Sequence, residues 1–426
     1  MFQEHAGKLL RSHAQASYTR QAIRINERIV IYVGFGHSNS IVIEGENSLI
    51  LVDALDSDER AKRLRNELDE TYHKPVKTII YTHGHPDHRG GSGAFRDVAE
   101  EIIAFAPRRP VLKYTEKIND VLTKRTVRQF GYQLTEEECI TQGIGIREGH
   151  AVGDGKYDFL APTTLYQTEE KAERVIDGVK LELIAAVGET DDQMFIWLPD
   201  DEVLCCGDNY YGCWPNLYAI RGSQYRDIAS WVDSLRNMMT YPAKALLPGH
   251  TMPVLGREKI SEVLSNFSGA IESILLQTLD CMNQGMTESE TIETVKLPEK
   301  YRDLPYLGEF YGTIEWSIRS VYHGYFGWFD GNASNLGRLS DAVFSAEIVK
   351  LAGAEKVLCE AKSKLEEGEW QMALQLADLL IQARELVKEA KQVKAKGMLA
   401  LGEVSISANG RHYYIASARE LMEKTR

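Results

Sequence analysis

A short run of metal-binding side chains stands out in the first quarter of the chain. Residues 82–88 read THGHPDH, which places three imidazoles and one carboxylate within six residues. In a loop that leaves a strand, His83 and His85 can turn toward one point, while Asp87 and His88 turn toward a second. Nitrogen and oxygen ligands of this kind suit zinc. The motif therefore predicts a site for two neighbouring metal ions.

The elements around this motif are predicted from hydrophobic patterning. An apolar strand, VKTIIYT, precedes it at residues 76–82, and a helical pattern covers residues 58–68. Residues 25–55 contain β-branched runs broken by Gly and Asn, which is typical of strands joined by tight turns. Further strand patterns lie at residues 101–106, 179–186, 194–198 and 202–206, and a helical pattern lies at residues 228–239. Residues 1–256 are therefore predicted to form an α/β domain.

The C-terminal part of the chain has a different character. Long helical patterns cover residues 258–282, 311–322 and 340–426. We therefore expect a second, all-helical domain at residues 257–426. Within it, residues 368–380 resemble one helix pair of a tetratricopeptide-like repeat, and a plain amphipathic helical hairpin is the alternative interpretation.

Composition excludes several classes of protein. The chain has 49 basic and 62 acidic residues, a formal net charge of −13, whereas a phosphate-backbone binder needs a basic face. No apolar stretch approaches the roughly 18 residues of a membrane span, and the N-terminal segment has no apolar signal region. Six cysteines without CxxC spacing suit reduced thiols. We therefore expect a cytoplasmic protein without a nucleic-acid or membrane partner.

The THGHPDH motif resembles the signature of the metallo-β-lactamase fold, an αββα sandwich. That resemblance implies three further ligands in loops at the same sheet edge: the third ligand of the first metal, a bridging carboxylate and a last histidine. Glu189, Asp208 and His250 stand in this order, each beside a glycine that lets the backbone approach the site closely. The implied ligand set is His83, His85, Asp87, His88, Glu189, Asp208 and His250.

A glutamate at position 189 narrows the choice of family within the fold, since many members of the fold have histidine there. An acidic residue 19 positions after Glu189 (208 − 189 = 19) resembles the arrangement of the metallo-β-lactamase-type alkylsulfatases. Other segments that resemble this family are NLYAIRG at residues 216–222, NQGMT at 283–287, YGT at 311–313, YFGWFDGN at 325–332 and the pair 335–336.

The resemblance implies a helical dimerisation domain after the catalytic domain, and hence a homodimer. The aromatic side chains of the helical part suit a large buried interface. An internal core between the two domains is the alternative. We expect no counterpart of the C-terminal sterol-carrier-like domain of longer family members.

The implied chemistry is hydrolysis by two zinc ions, which supply a water of lowered pKa and Lewis-acid contact with a substrate oxygen. Asp87 and Asp208 would orient the metal-bound water. Manganese or iron would also suit a mixed His and carboxylate site. For a sulfate ester, Arg221 is the best candidate donor, and the family resemblance places Asn216 beside it at the sulfate pocket.

Residues 209–215 depart from the family pattern, because this segment has no histidine. Tyr210 or Tyr211 could donate a hydrogen bond to the substrate in its place, and we include Tyr211 among the substrate-binding candidates. Alternatively, both tyrosines are aromatic wall residues. The structural alternatives for the other two candidates are that Arg221 pairs with Asp227 and that Asn216 caps a turn.

Three more residues lie near the predicted site in sequence patterns that resemble the family. His37 and Asn39 occupy GFGHSNS, ahead of a strand, and either could touch substrate. Asp53 ends the strand LILVD and is interpreted as a residue that orients the metal-binding loop. A simple strand-terminating Asp is the competing account.

The leading hypothesis is a dinuclear-metal hydrolase that cleaves alkyl sulfate esters and releases inorganic sulfate by a zinc-activated water. The first alternative is a hydrolase of the same fold that acts on a phosphodiester, thioester or lactone. The second alternative is a non-enzymatic helical assembly module with a vestigial metal domain. The fold expected under the leading hypothesis is an α/β sandwich followed by an all-α domain.

Overall fold

The computed structural model describes residues 2–109 and 112–423. They form two compact units, each made from more than one stretch of chain. The sheet unit comprises residues 13–118 and 141–325, and the helical unit comprises residues 1–12, 119–140 and 326–426. The sheet unit thus continues beyond residue 256. The division into domains at 1–256 and 257–426 stays a prediction.

The described residues of the sheet unit contain two β-sheets. The first sheet has the strand order β1-β2-β3-β4-β5-β6-β7, with β1 (Gln21–Arg24), β2 (Ile29–Val33), β3 (Ser40–Glu44), β4 (Leu49–Val52), β5 (Val76–Ile80), β6 (Glu101–Phe105) and β7 (Thr164–Tyr166). The second sheet has the order β13-β12-β11-β10-β9-β8, with β8 (Lys171–Ile176), β9 (Val179–Ala185), β10 (Met194–Leu198), β11 (Val203–Gly207), β12 (Ala245–Pro248) and β13 (Val254–Leu255).

Parallel pairing occurs where the metal-binding loops leave the strands. Strands β4 to β7 pair parallel, as do β11 and β12, and the other neighbours are antiparallel. Parallel strands end at the same sheet edge, so the loops that follow them meet there. The residues after β5, β11 and β12 therefore converge on one side of the sandwich.

The helices follow in chain order: α1 (Phe2–Ser17), α2 (Asp58–Tyr72), α3 (Pro86–Arg89), α4 (Asn119–Phe130), α5 (Glu136–Cys139), α6 (Ile228–Met238), α7 (Arg257–Asn283), α8 (Glu288–Thr294), α9 (Glu299–Arg302), α10 (Ile314–Phe326), α11 (Asp341–Ala352), α12 (Ala354–Glu367), α13 (Trp370–Ala383), α14 (Val387–Val404) and α15 (Ala408–Glu423).

Three apolar clusters define the layers of the sheet unit. One lies between the sheets and includes Ile31 of β2 and Ile196 of β10. Neighbouring side chains in a strand point to opposite faces, so Val30 lies instead in a second cluster, with Leu64 of α2. The third cluster joins the outer face of the second sheet to α6, α7 and α10, with Phe267 at 0% exposure. The predicted αββα sandwich is confirmed.

The helical unit has its own core. Apolar residues of α11 to α14 are buried together, among them Ala361, Ala373, Ala377 and Leu380. Three of these, Ala373, Ala377 and Leu380, lie on the buried face of α13. The tetratricopeptide-like assignment stays a prediction. Across residues 2–109 and 112–423, no helix combines the length and apolar character needed to cross a membrane.

Candidate metal centre

The THGHPDH motif lies where β5 leaves the first sheet. The chain passes through Thr82 to His85 in an irregular loop and then forms the single turn α3, with Pro86 at its start. Proline is favoured at this position because its missing N–H would have no partner in the first turn of a helix. The turn buries His88, while the Asp87 side chain remains 17% exposed.

The other three predicted ligands come from the second sheet. Glu189 lies in the loop after β9, Asp208 directly follows β11, and His250 follows β12. Gly249 is required at its position, because a Cβ there would lie 2.4 Å from Oδ1 of Asp208 and 2.8 Å from the ring of His88. Glycine therefore allows two ligand loops to approach each other.

The structure brings all seven predicted ligands together, with Asp208 at the centre. Its carboxylate oxygens lie 3.7 Å from Nε2 of His83, 3.4 Å from Nε2 of His88 and 3.3 Å from Nε2 of His250. Asp87 Oδ2 lies 3.4 Å from His88 Nε2 and 3.3 Å from His250 Nε2. Asp208 thus lies at the centre of the cluster, and its role as a bridging carboxylate stays a prediction.

Donor atoms in three groups lie within 4.8 Å of one another, close enough to hold a cation. The groups are His83, His88 and Asp208; His85, Glu189 and Asp208; and His37, Asp87 and His250. Asp208 belongs to two of them. The assignment of individual residues to individual ions stays a prediction.

The chemistry of the donor atoms fits divalent cations. Asp208 Oδ1 and Glu189 Oε2 are buried and have no hydrogen-bond partner in the described part of the chain. His88 and His250 face each other through Nε2 atoms 3.3 Å apart. Burial lowers the pKa of His250, but Asp208 and Asp87 outweigh it and raise the pKa to about 10. Buried carboxylate oxygens without hydrogen-bond partners need compensating positive charge, which metal ions would supply.

Hydrogen bonds to the far side of two rings set which nitrogen faces the centre. His88 Nδ1 donates to Asp53 Oδ2 at 2.7 Å, and His250 Nδ1 donates to the carbonyl oxygen of His37 at 2.9 Å. Each bond leaves Nε2 to face the other ligands. Asn39 supports the same loop, since its side chain donates to the carbonyl oxygens of Pro248 and Thr251.

Asp53 thus occupies the orienting position that the sequence predicted. Besides His88, it accepts hydrogen bonds from the backbone N–H of Thr82 at 2.8 Å and from the Thr82 hydroxyl at 2.7 Å. Its backbone φ of 58° is a left-handed conformation that non-glycine residues rarely adopt. The residue therefore joins the end of β4 to the metal-binding loop.

We expect Asp53→Asn to weaken zinc binding by about 10- to 100-fold, because one oxygen that orients His88 and Thr82 becomes an NH₂ group. Competition with a chromophoric chelator measures this affinity. Asp69→Asn, a change of the same chemistry at a side chain 53% exposed on α2, should bind zinc like the wild type. Equal affinities for both variants would contradict the orienting role.

The predicted substrate residues lie on the Glu189 side of the centre. Asn216 is 2% exposed, its backbone N–H donates to the Tyr211 hydroxyl at 2.6 Å, and its buried Oδ1 has no partner among the described residues. Arg221 lines a cavity of about 450 Å³ together with His85 and Glu189. Asn216, Tyr211 and Arg221 thus lie in one region, on the Glu189 side of the centre.

The structure bears on two of the alternatives raised by the sequence, and the roles of Arg221 and Asn216 stay predictions. Asp227 pairs with Arg109, at 2.8 Å, and its side chain caps α6 at Ser230. Tyr210 is 4% exposed and packs edge-on against Phe267 in the core. Tyr210 is therefore a packing residue.

Sequence reasoning missed Arg226. Its guanidinium is buried and donates from Nη1 to Glu189 Oε1 at 2.7 Å and to the carbonyl oxygen of Asn216. Burial raises the pKa of Glu189 to about 7, although Arg226 acts in the opposite direction. No local motif marks this arginine, because its carboxylate partner lies 37 positions away.

His37 was noted for its motif, but its position beside Asp87 and His250 was not predicted.

Comparison with known proteins agrees with this architecture. The metallo-beta-lactamase superfamily model matches residues 33–250, and the alkyl sulfatase dimerisation model matches residues 287–424. A linear primary-alkylsulfatase from Pseudomonas sp. (strain ATCC 19151) is 34% identical over 90% of this chain and 74% of its own length. The alkyl/aryl-sulfatase BDS1 of Saccharomyces cerevisiae is 29% identical over 96% of this chain and 65% of its own length.

A solved structure is similar to most of this chain. The stereoselective inverting sec-alkylsulfatase Pisa1 from Pseudomonas sp. superimposes with a TM-score of 0.83 at 25% identity, over 94% of this chain and 65% of that one. This protein is therefore a member of the alkylsulfatase family of the metallo-β-lactamase superfamily.

Proposed function

We propose that this protein hydrolyses alkyl sulfate esters to an alcohol and inorganic sulfate. The observation that carries the proposal is one cavity whose lining contains both candidate metal ligands and cationic hydrogen-bond donors. His83, His85 and Glu189 of the donor cluster line it, and so do Arg221 and Arg226. Cationic donors beside a metal centre suit a singly charged, tetrahedral oxyanion. The names of the relatives support the same substrate class.

The residues proposed to hold two zinc ions are His83, His85, Asp87, His88, Glu189, Asp208 and His250. When bound, the ions would supply a water of lowered pKa and Lewis-acid contact with an ester oxygen. Manganese or iron would suit the same donors. Metal content, measured on protein purified without added metal, tests both the number and the identity of the ions.

The chain's own residues bind and orient the substrate. In this proposal Arg221 donates charge-assisted hydrogen bonds to the sulfate oxygens, and Asn216 holds the same group through its side chain. Asp87 and Asp208, each with a carboxylate oxygen 3.3 Å from His250 Nε2, would orient the metal-bound water. Burial raises the pKa of Tyr211 well above its usual value, so this hydroxyl is a poor proton donor. We assign Tyr211 the role of positioning Asn216.

Sulfate release tests the proposal directly. Zinc-loaded protein is incubated with dodecyl sulfate and with a short secondary alkyl sulfate, and a His83→Ala variant serves as the metal-site control. We expect turnover by the wild type and none by the control. Two tightly bound metals without turnover of either ester would reject the sulfatase activity. A protein that bound no metal would instead support the assembly-module hypothesis.

Arg221→Ala separates a sulfatase from a hydrolase of neutral esters of the same fold. Because a charged donor to the developing oxyanion is lost, kcat/KM for an alkyl sulfate should fall by about 10²- to 10³-fold. Hydrolysis of an uncharged lactone would change little. Arg236→Ala is the matched control, since Arg236 pairs with Glu272 on the surface and its side chain is 48% exposed. A similar small loss for both arginine variants would contradict the sulfate-binding role.

We also propose that the protein is a cytoplasmic homodimer. The match to the dimerisation model supports the assembly. So do large apolar side chains that are exposed in residues 325–351, among them Trp328 at 75% and Leu351 at 82%. The six free thiols suit a reducing compartment. Light scattering at assay concentration should give twice the monomer mass of 48.0 kDa, and the monomer mass alone would reject the dimer.

A further inference from the structure

A second cavity lies beside the one that contains the proposed sulfate site. It measures about 490 Å³, against about 450 Å³ for the first cavity. Ser223 and Tyr225 line both cavities. The short segment that carries these two residues therefore forms the wall between the cavities. Both volumes fall in the range of typical ligand pockets.

The second cavity has an aromatic interior and a charged mouth. Trp316, Tyr218 and Ile220 are partly buried, and Ser320 of α10 is 5% exposed. The charged side chains are more exposed, with Arg319 at 44% and His323 at 62%.

These charges satisfy one another. Glu288 pairs with Arg319 and, at 2.9 Å, with His323. The carboxylate between them disfavours an anion at the mouth. The interior therefore suits an apolar ligand.

Packing against α10 holds the Tyr225 side chain in the wall. Its ring lies against the backbone of α10, where a Cβ at Gly324 would lie 2.4 Å from Cδ2, and stands edge-on to Tyr325 at 6.2 Å. Its backbone carbonyl accepts a hydrogen bond from Arg109 Nη1 at 3.1 Å. Its hydroxyl lies near the backbone N–H of Ile228, the first residue of α6.

The first cavity offers an alkyl group an apolar path toward this wall. In the proposed mode of binding, the sulfate lies beside His85 and Arg221. Apolar and aromatic side chains that line the same cavity include Phe105, Leu165 and Tyr225. An alkyl group that extends along these side chains reaches Tyr225, which both cavities share.

We propose that Tyr225 determines the chain-length specificity of the enzyme and that the second cavity accommodates the distal methylenes of a long alkyl group once this ring is removed. The inference rests on the proposed sulfatase function. Each methylene that moves from water into an apolar cavity strengthens binding about fourfold. Two or more additional buried methylenes would therefore change relative affinity by at least about tenfold.

The test compares butyl, octyl and dodecyl sulfates below their micelle-forming concentrations. Tyr225→Ala should raise the ratio of kcat/KM for dodecyl to butyl sulfate at least about tenfold over the wild type. Tyr225→Phe keeps the ring and should give the wild-type ratio. Adding Ser320→Phe to Tyr225→Ala fills the second cavity and should cancel the increase. An unchanged ratio in Tyr225→Ala, or an increase that survives Ser320→Phe, would overturn the proposal.

Binding of alkyl sulfonates separates this inference from the proposed reaction. Sulfonates carry the same anionic head but have no ester bond to cleave, so calorimetry gives their Kd without turnover. The dodecyl-to-butyl affinity ratio should follow the same pattern across the three variants. If no sulfate ester is hydrolysed, the proposed function fails, yet these ratios still decide whether the second cavity takes the chain. Equal ratios in the wild type and Tyr225→Ala would reject it.

Discussion

Asp208→Asn should abolish metal-dependent hydrolysis, with a loss of at least about a thousandfold in kcat/KM, because metal ions contribute several kcal/mol to stabilising charge in the transition state. The substitution keeps the shape of the side chain. It removes the negative charge that lies within 3.3 to 3.7 Å of three imidazole nitrogens. Metal content should fall below that of the wild type, measured by elemental analysis after dialysis.

A matched variant separates this effect from a general effect of the substitution. Asp233→Asn makes the same chemical change at an exposed position of α6 and should keep wild-type metal content and turnover. Circular dichroism confirms that both variants are folded. Full metal content in Asp208→Asn would show that this carboxylate does not hold the ions together.

Arg226→Met should lower the free energy of unfolding of the metal-free protein by about 3–5 kcal/mol, because it leaves the buried Glu189 carboxylate without its partner. The two side chains are 6% and 3% exposed, so the pair is largely shielded from solvent. The same change frees the carbonyl oxygen of Asn216, which Arg226 also binds. Urea denaturation in the presence of a chelator, followed by tryptophan fluorescence, measures the loss.

A double variant tests the cause of this instability. Arg226→Met combined with Glu189→Gln removes both charges and should recover part of the stability, whereas turnover should remain lost. Arg236→Met, at an exposed ion pair with Glu272, should change stability by less than about 1 kcal/mol. If Arg226→Met is as mild as Arg236→Met, the buried pair does not position Glu189.

Local patterns predicted most elements of the sandwich. The apolar run at residues 76–82 corresponds to β5, and the helical pattern at residues 58–68 lies within α2. Helix α4 was not predicted, nor was its place in the helical unit with residues 326–426. Its neighbours in that unit are distant in sequence, so no local period could indicate them.

The sequence by itself determined the type of chemistry. Four ligands lie within the six residues 83–88, where chain geometry alone keeps them close, and Glu189, Asp208 and His250 each follow a strand beside a glycine. The family resemblance added their order and the sulfate residues. These features depend on short-range geometry and on strand ends, which sequence patterns report well.

Only the tertiary structure decided how the candidate ligands are supported and which side chains line the two cavities. The pair of Arg226 with Glu189 and the bond from His250 to the His37 carbonyl join residues 37 and 213 positions apart. The wall at Tyr225 depends on α10 as well as on its own loop. Such contacts arise from the way sheets and helices stack, and a small shift in that stacking would replace every partner, so no local pattern encodes them.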